Sequence, residues 1–166
     1  MAFVASHRLK LCGLVVIVLL CRMPTAFATG SCPVSLGGAV EKPLCLTAGE
    51  LRALPAAELS LTLMAGSRPE TGSYKGVPLW KLLELASVKS RRSKGANLLH
   101  TIVVTGRDSY AVALAIAEID PRFEGKAVLL AYDQDGRPLR NGFRLVVPGD
   151  QEGGRSVRDV VRIEVR

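Results

Sequence analysis

The alternation of apolar and polar positions predicts that β-strands dominate the chain. Between residues 59 and 64, leucine alternates with serine, threonine and methionine, a period of two. Residues 161–165 repeat this alternation with valine and isoleucine against charged residues. Other apolar runs predict further strands at residues 34–40, 98–105, 110–114, 128–132 and 143–147.

A few short helices are predicted between the strands. Thr47 and Glu50 have the spacing of a capping box, which starts a helix that ends near Leu54. After Pro78, apolar residues recur at helical spacing through Ala86, and residues 115–119 predict a third helix. Residues 66–76, rich in glycine and serine, are predicted to be a loop. The expected class is α+β with a mostly antiparallel or mixed sheet.

The first 28 residues have the layout of a secretory signal peptide. A basic start precedes an apolar run from Leu11 to Cys21, and Ala26-Phe-Ala28 is a small-x-small cleavage signal. The alternative is an uncleaved anchor, although about eleven apolar residues are too few to span a bilayer. We therefore expect a signal at residues 1–28, a single domain at residues 29–166, and a periplasmic or secreted protein without a stable membrane span.

The charge of the predicted mature chain favours an anionic partner only weakly. The chain has 22 Lys+Arg and 15 Asp+Glu. Three of the basic residues lie in the predicted signal, which leaves 19 − 15 = +4. Aromatic residues make up 5% of the chain, which is too few for the base stacking that nucleic-acid binding uses, so this class is excluded. The basic residues 89–94 predict a solvated connector.

Two cysteines, Cys32 and Cys45, remain after signal cleavage. An even pair in an exported chain favours a disulfide, which would contribute about 3 kcal/mol by closing so short a loop. The alternative is that one of them is a displaced metal-binding thiolate.

The chemistry-bearing residues exclude several enzyme classes. The chain has no Ser-His-Asp signature, no H-E-x-x-H, no P-loop and no G-x-G-x-x-G. His100, which lies in an apolar strand pattern, is interpreted as a structural histidine. Asp133 and Asp135 precede Gly136 and fit a turn better than a calcium loop. No catalytic residue and no metal ligand are assigned.

Several segments, in a fixed order, resemble the molybdopterin-binding domain of the sulfite oxidase family. They are Leu61-Thr-Leu-Met-Ala-Gly-Ser-Arg68, Gly72-Ser-Tyr-Lys-Gly-Val-Pro-Leu-Trp80, Gly142-Phe-Arg-Leu-Val-Val-Pro-Gly149 and Arg155-Ser-Val-Arg-Asp-Val-Val-Arg162. The resemblance covers nearly all of the chain after about residue 33. It implies the family's fold and a cofactor cleft.

The resemblance also identifies one substitution with a large chemical consequence. The family strand delivers a cysteine thiolate to molybdenum, whereas this chain has Met64 there, and Ser67 replaces an asparagine. A thioether cannot become an anionic thiolate.

The residues that the resemblance assigns to the cofactor cleft are mainly arginines. It implies anion- or cofactor-binding roles for Arg68, Tyr110, Arg144 and Arg158. The alternative, favoured for Arg155 and Arg158, is that the arginines lie on solvent faces of strands and a polar loop.

Two functions follow as hypotheses. The first is an exported module that lacks the molybdopterin cofactor and binds a small anion, a small molecule or a periplasmic protein in the old cleft. The second is a molybdopterin-dependent oxidoreductase that binds its cofactor without the cysteine ligand. The presequence has His7-Arg8 rather than twin arginines and so resembles a general secretory signal, which favours the first.

Overall fold

The computed structural model describes residues 32–65, 68–89, 96–140 and 142–166. The strands in these ranges form two five-stranded sheets. The predicted signal, Ser67 and residues 90–94 of the basic connector lie outside the described residues. In chain order the elements are β1 (Val34–Gly38), β2 (Leu44–Leu46), α1 (Ala48–Ala53), β3 (Ala57–Ala65), β4 (Arg68–Pro78), α2 (Leu79–Ala86), β5 (Thr101–Gly106), β6 (Ala111–Ala115), α3 (Ile116–Ile119), β7 (Leu129–Gln134), β8 (Arg137–Pro138), β9 (Arg144–Val146) and β10 (Val160–Val165).

The first sheet is mixed, with the strand order β2-β1-β10-β5-β6. β1 and β10 are parallel, and the other neighbours are antiparallel. The final strand, which the alternation at residues 161–165 predicts, is therefore central to this sheet. Its buried positions are Val160, Ile163 and Val165.

The second sheet is antiparallel, with the order β3-β4-β7-β8, and β9 also pairs with β7. β4 corrects the prediction of a loop at residues 66–76, because most of that segment is an 11-residue strand paired on both sides. Its glycines permit close approach. A Cβ on Gly76 would lie 2.3 Å from the carbonyl oxygen of Leu130, at an irregularity in the pairing with β7.

The helices begin where the sequence predicts. Thr47 caps α1, and the reciprocal contact from Glu50 completes the capping box. α2 buries Leu79, Leu82, Leu83 and Ala86. Residues 96–99 form a 3-10 turn before β5, and this turn includes the first two residues of the strand predicted at residues 98–105. None of the helices in the described ranges is long and apolar enough to cross a membrane.

The second sheet has apolar side chains on both faces. One face joins the main core with Val77, Leu130 and Leu145. The opposite face, here called the outer face, carries a smaller cluster: Leu63, Tyr74, Leu129, Ala131 and Val146. Because successive strand residues point to opposite faces, Leu145 lies in the main core while its neighbours on β9 lie on the outer face.

The expectations for fold and cysteines are confirmed. The chain is α+β with one mixed and one antiparallel sheet and a few short helices. Cys32 and Cys45 form a disulfide with their Cα atoms 5.4 Å apart. This pairing closes the start of the domain onto β2 and removes the alternative of a displaced thiolate at either residue.

Candidate functional site

A buried arginine on the outer face of the second sheet defines the candidate site. Arg144 opens β9 and, by alternation, shares its face with Val146. Its side chain is only 8% exposed. A charged side chain buried to this extent requires compensating partners, because desolvation of an ion is costly.

Three contacts position the Arg144 guanidinium. Its Nε donates to Ser156 Oγ at 2.8 Å, and Nη1 lies 3.4 Å from Glu70 Oε2. The guanidinium lies over the ring of Tyr74, 5.6 Å from the ring centroid, which is within the range of a cation–π contact. Ser156 is itself fixed, since its hydroxyl donates to the Leu145 carbonyl at 3.2 Å. The arginine is therefore oriented on one edge and on one face by neutral groups.

Two clefts meet at Arg144 and Arg158. One, of about 380 Å³, is also lined by Met64, Glu152, Gly153, Gly154 and Ser156. The other, of about 320 Å³, is lined by Glu70, Gln134, Leu139, Arg140, Gly142, Phe143 and Asp159 together with the two arginines. Arg158 is exposed and makes no hydrogen bond or ion pair with the other residues described. A ligand in either cleft would therefore lie next to both arginines.

A glycine brings the loop after β9 against the end of β3. A Cβ on Gly153 would lie 1.7 Å from the carbonyl oxygen of Met64, so only glycine fits there. Next to it, Tyr110 Oη donates to the Gly154 carbonyl at 2.6 Å. The Met64 strand and the Gly153 loop thus form adjoining walls of the larger cleft.

A second arginine anchors the same loop. Arg155 donates from Nε to Asp150 at 2.8 Å and from Nη1 to Glu118 of α3 at 2.8 Å, and its Nη2 also contacts Asp150. Asp150 is the main cause of a raised pKa for the Arg155 guanidinium, and Glu118 adds to it. Burial acts to raise the pKa of Glu118, but hydrogen bonds from Arg155 and the Ala115 amide outweigh it, so this pKa is lowered.

Tyr74 forms the floor beneath Arg144. Its side chain is fully buried, and its hydroxyl has no hydrogen-bond partner among the residues that the structure describes. Burial raises the pKa of the phenol; Arg144 opposes the rise, and the Glu70 and Asp135 carboxylates reinforce it. The phenol is therefore neutral beside a guanidinium and can still donate a hydrogen bond.

The structure brings together two of the four residues that the sequence predicts to line the cleft. Arg144 and Arg158 line both clefts. Arg68 is exposed at the start of β4 and lines neither, and Tyr110 contacts the Gly154 loop rather than the cleft itself.

Sequence reasoning missed Glu70, Tyr74 and Ser156 as members of the site. The first two lie on β4, which was predicted to be a loop, so their alternation on one face was not recognised. Ser156 lies in the arginine-rich segment that carries the family resemblance, and that position was the available signal.

Two residues set aside on sequence grounds have structural contacts. His100 is buried, with Nδ1 3.1 Å from the Arg166 carbonyl oxygen and Nε2 3.0 Å from that of Lys89. Asp135 and Gly136 form the positive-φ turn between β7 and β8, and Asp135 accepts from the Ser73 amide at 2.8 Å. Both residues therefore support the fold, as expected.

Comparison with known proteins places the chain in a family. The profile of the oxidoreductase molybdopterin binding domain matches residues 23–166. The chain belongs to this family, and the predicted sulfite-oxidase-like relationship is confirmed.

The similar proteins are much longer than this chain. A nitrate reductase [NADH] of Ulva prolifera is 30% identical over 167 residues, which cover 82% of this chain and 19% of that protein. A nitrate reductase [NADH] of Volvox carteri is 34% identical over 163 residues, which cover 80% of this chain and 18% of that protein. The chain spans about a fifth of the length of these curated relatives.

A solved structure supports the fold. The crystal structure of the sulfane dehydrogenase SoxCD from Paracoccus pantotrophus superposes with a TM-score of 0.65 at 25% identity. The superposition covers 80% of this chain and 37% of that one. It shows that the two chains share a fold over the superposed part.

The residues that line the clefts fit only part of the molybdopterin cofactor that the family name implies. At the position from which the resemblance expects a thiolate, Met64 supplies a neutral thioether. The arginine pair suits an anionic group such as a phosphate, since guanidinium forks match its oxygens. The lining of the cleft therefore contains two arginines, and its residue 64 is not an anionic sulfur ligand for molybdenum.

Proposed function

We propose that this domain is an anion-binding module of an exported protein and that Arg144 is the main contact of its ligand. The observation that supports this most strongly is the state of Arg144. It is nearly buried, it is oriented by a serine and a tyrosine ring, and its one carboxylate contact is long. Such a guanidinium retains the capacity to bind another anion.

The chemistry of the two clefts suits a small oxyanion or a small molecule that carries one. Arg144 offers a planar fork of donors, and Arg158 offers a second cation in the lining of the same clefts. A carboxylate or phosphate on a periplasmic protein would meet the same groups, which makes such a protein a further candidate partner. No residue of the site is assigned a catalytic step.

The alternative is a molybdopterin-dependent oxidoreductase that binds its cofactor without a cysteine ligand. Family membership over residues 23–166 and the arginine pair favour it. Met64 weighs against it, because a thioether carries no charge to balance a high-valent metal.

Metal analysis separates the two functions. Protein is purified from the cell that makes it, and its molybdenum content is measured by mass spectrometry. The anion-module proposal predicts far less than one molybdenum per chain, whereas a stoichiometric content would refute it and support the oxidoreductase. N-terminal sequencing of the same material tests export, and the expected start is near Thr29.

A further inference from the structure

Glu70 is the carboxylate that contacts the Arg144 guanidinium. It pairs with Leu63 across the β3–β4 ladder and lies on the same face of β4 as Tyr74. The separation of 3.4 Å between Nη1 and Oε2 is longer than that of a typical charge-assisted hydrogen bond. The contact therefore compensates the arginine without the tight geometry of a permanent pair.

The two partners differ in their access to water. The Glu70 side chain is 41% exposed, while that of Arg144 is 8% exposed. Glu70 can turn away and be solvated at little cost. Arg144 cannot follow it, because Ser156 and the Tyr74 ring fix the guanidinium from its other edge and its face.

The other carboxylates near the clefts are less suited to this role. Asp159 accepts from Arg107 at 2.7 Å, and Asp150 accepts from Arg155 at 2.8 Å. Glu152 is exposed and forms no ion pair with a described residue. Of the carboxylates in the described ranges, Glu70 alone lies within 4.0 Å of an Arg144 nitrogen.

We propose that Glu70 is an internal competitor, occupying in the free protein the edge of Arg144 that the ligand anion takes. The inference rests on the proposed anion-binding function. Binding then exchanges one carboxylate for another anion, and Glu70 turns to solvent. An anion that contacts Arg144 alone gains little from this exchange. A doubly charged oxyanion that also reaches Arg158 gains more, so this is the class of ligand that the site selects.

The test compares sulfate binding by wild type, Glu70→Gln and Glu124→Gln, measured by calorimetry at low ionic strength on the full chain without its signal. Glu70→Gln keeps the shape and removes the competing charge, so we expect it to bind sulfate about fivefold more tightly, the scale of a half-exposed ion pair. Glu124→Gln removes one charge on the loop after α3, where Glu124 pairs with Lys126, and should bind as wild type does. Glu70→Asp shortens the competitor and should give an intermediate gain.

The outcomes separate this inference from the function on which it rests. Wild type and Glu70→Gln binding with equal affinity, or Glu70→Gln binding more weakly, would overturn the competitor role while leaving the anion site intact. Binding by Glu70→Gln alone would support the competitor role in its strongest form. Absence of binding by both proteins, with unchanged melting temperatures, would overturn the competitor role and the anion site together.

Discussion

Arg144 and Arg155 lie eleven residues apart and have opposite relations to their surroundings. Arg155 contacts two carboxylates from two segments, and its Nε, Nη1 and Nη2 atoms each donate to one of them. Arg144 is more deeply buried, yet it contacts a serine, an aromatic face and one partly exposed carboxylate. Both residues lie close to the Gly153 loop, so position along the chain does not distinguish them.

The contrast shows how to separate a structural arginine from a ligand-binding one. A guanidinium satisfied by two carboxylates has little to gain from a further anion, whereas one oriented by neutral groups remains electrostatically unsatisfied. The loop that Arg155 anchors supplies Ser156 to orient Arg144. Arg155 therefore acts on the position of Arg144 through the loop between them.

The largest expected effect comes from a substitution in the loop that links the two arginines. Gly153→Ala would place a Cβ against the Met64 carbonyl and should destabilise the domain by about 3 kcal/mol, as overpacking does. Gly154→Ala is the matched control. Its Cβ would meet Tyr110 Oη at 3.9 Å, an ordinary contact, so less than about 0.5 kcal/mol is expected. Urea denaturation measures both, and equal losses would contradict the close approach.

Arg155→Ala tests the structural side of the contrast. It leaves the partly buried Asp150 carboxylate without its cation and leaves Glu118 with only Lys126, at 3.6 Å, so it should cost about 2 kcal/mol. Arg107→Ala also removes an arginine with a short ion pair, to Asp159, but that arginine is 70% exposed. The control should therefore cost less than about 1 kcal/mol. If the denaturation midpoints of Arg155→Ala and Arg107→Ala fell by the same amount, Arg155 would not be a stronger structural anchor than an exposed arginine.

Acid should weaken the same anchor. Folding lowers the pKa of Glu118 below 4.5, so its stabilising contribution is complete above that value and is lost as the pH falls through the lower folded value. Thermal melting between pH 7 and pH 3 should show wild type losing stability more steeply below pH 4.5 than Glu118→Gln. If the melting temperatures of the two proteins depended on pH in the same way, the ionised Glu118 carboxylate would not contribute to stability.

Sequence patterns predicted the elements that bury one regular face and missed those that depend on pairing. The alternation at residues 59–64 and 161–165 correctly indicated β3 and β10. β4 was missed because its glycines and prolines are typical of a loop. Hydrogen bonds to β3 and β7 make it a strand, and these contacts are distant in sequence.

The same limit applies to the site. The resemblance indicated Arg144 and Arg158, since it assigns them by position. It could not distinguish them from Arg68, because burial and partners decide the role and both depend on tertiary structure. Glu70 and Tyr74 could be recognised as members of the site only from the structure, in which β4 places them on one face with Arg144.

The smallest expected effect concerns Met64, which lines the cleft beside Arg144. Met64 is half-buried, so Met64→Cys should cost less than about 1 kcal/mol, and the new thiol should react with iodoacetamide in the folded protein. The neighbouring Leu63 is buried in the outer-face cluster. Leu63→Cys should therefore cost about 1–3 kcal/mol and resist labelling until unfolding. An unreactive thiol at residue 64 would show that the cleft is closed there.

Arg144 is the residue on which the proposed anion binding depends most, and one titration tests its role directly. Sulfate binding is measured by calorimetry for wild type, Arg144→Gln and Arg162→Gln, the last removing an exposed arginine from β10 of the other sheet. Loss of a guanidinium that contacts the ligand should weaken binding at least tenfold, about 1.4 kcal/mol or more, in Arg144→Gln alone. The assignment of Arg144 as the anion-binding residue would be contradicted if Arg144→Gln bound sulfate as tightly as wild type. An equal loss of affinity in both variants would also contradict it.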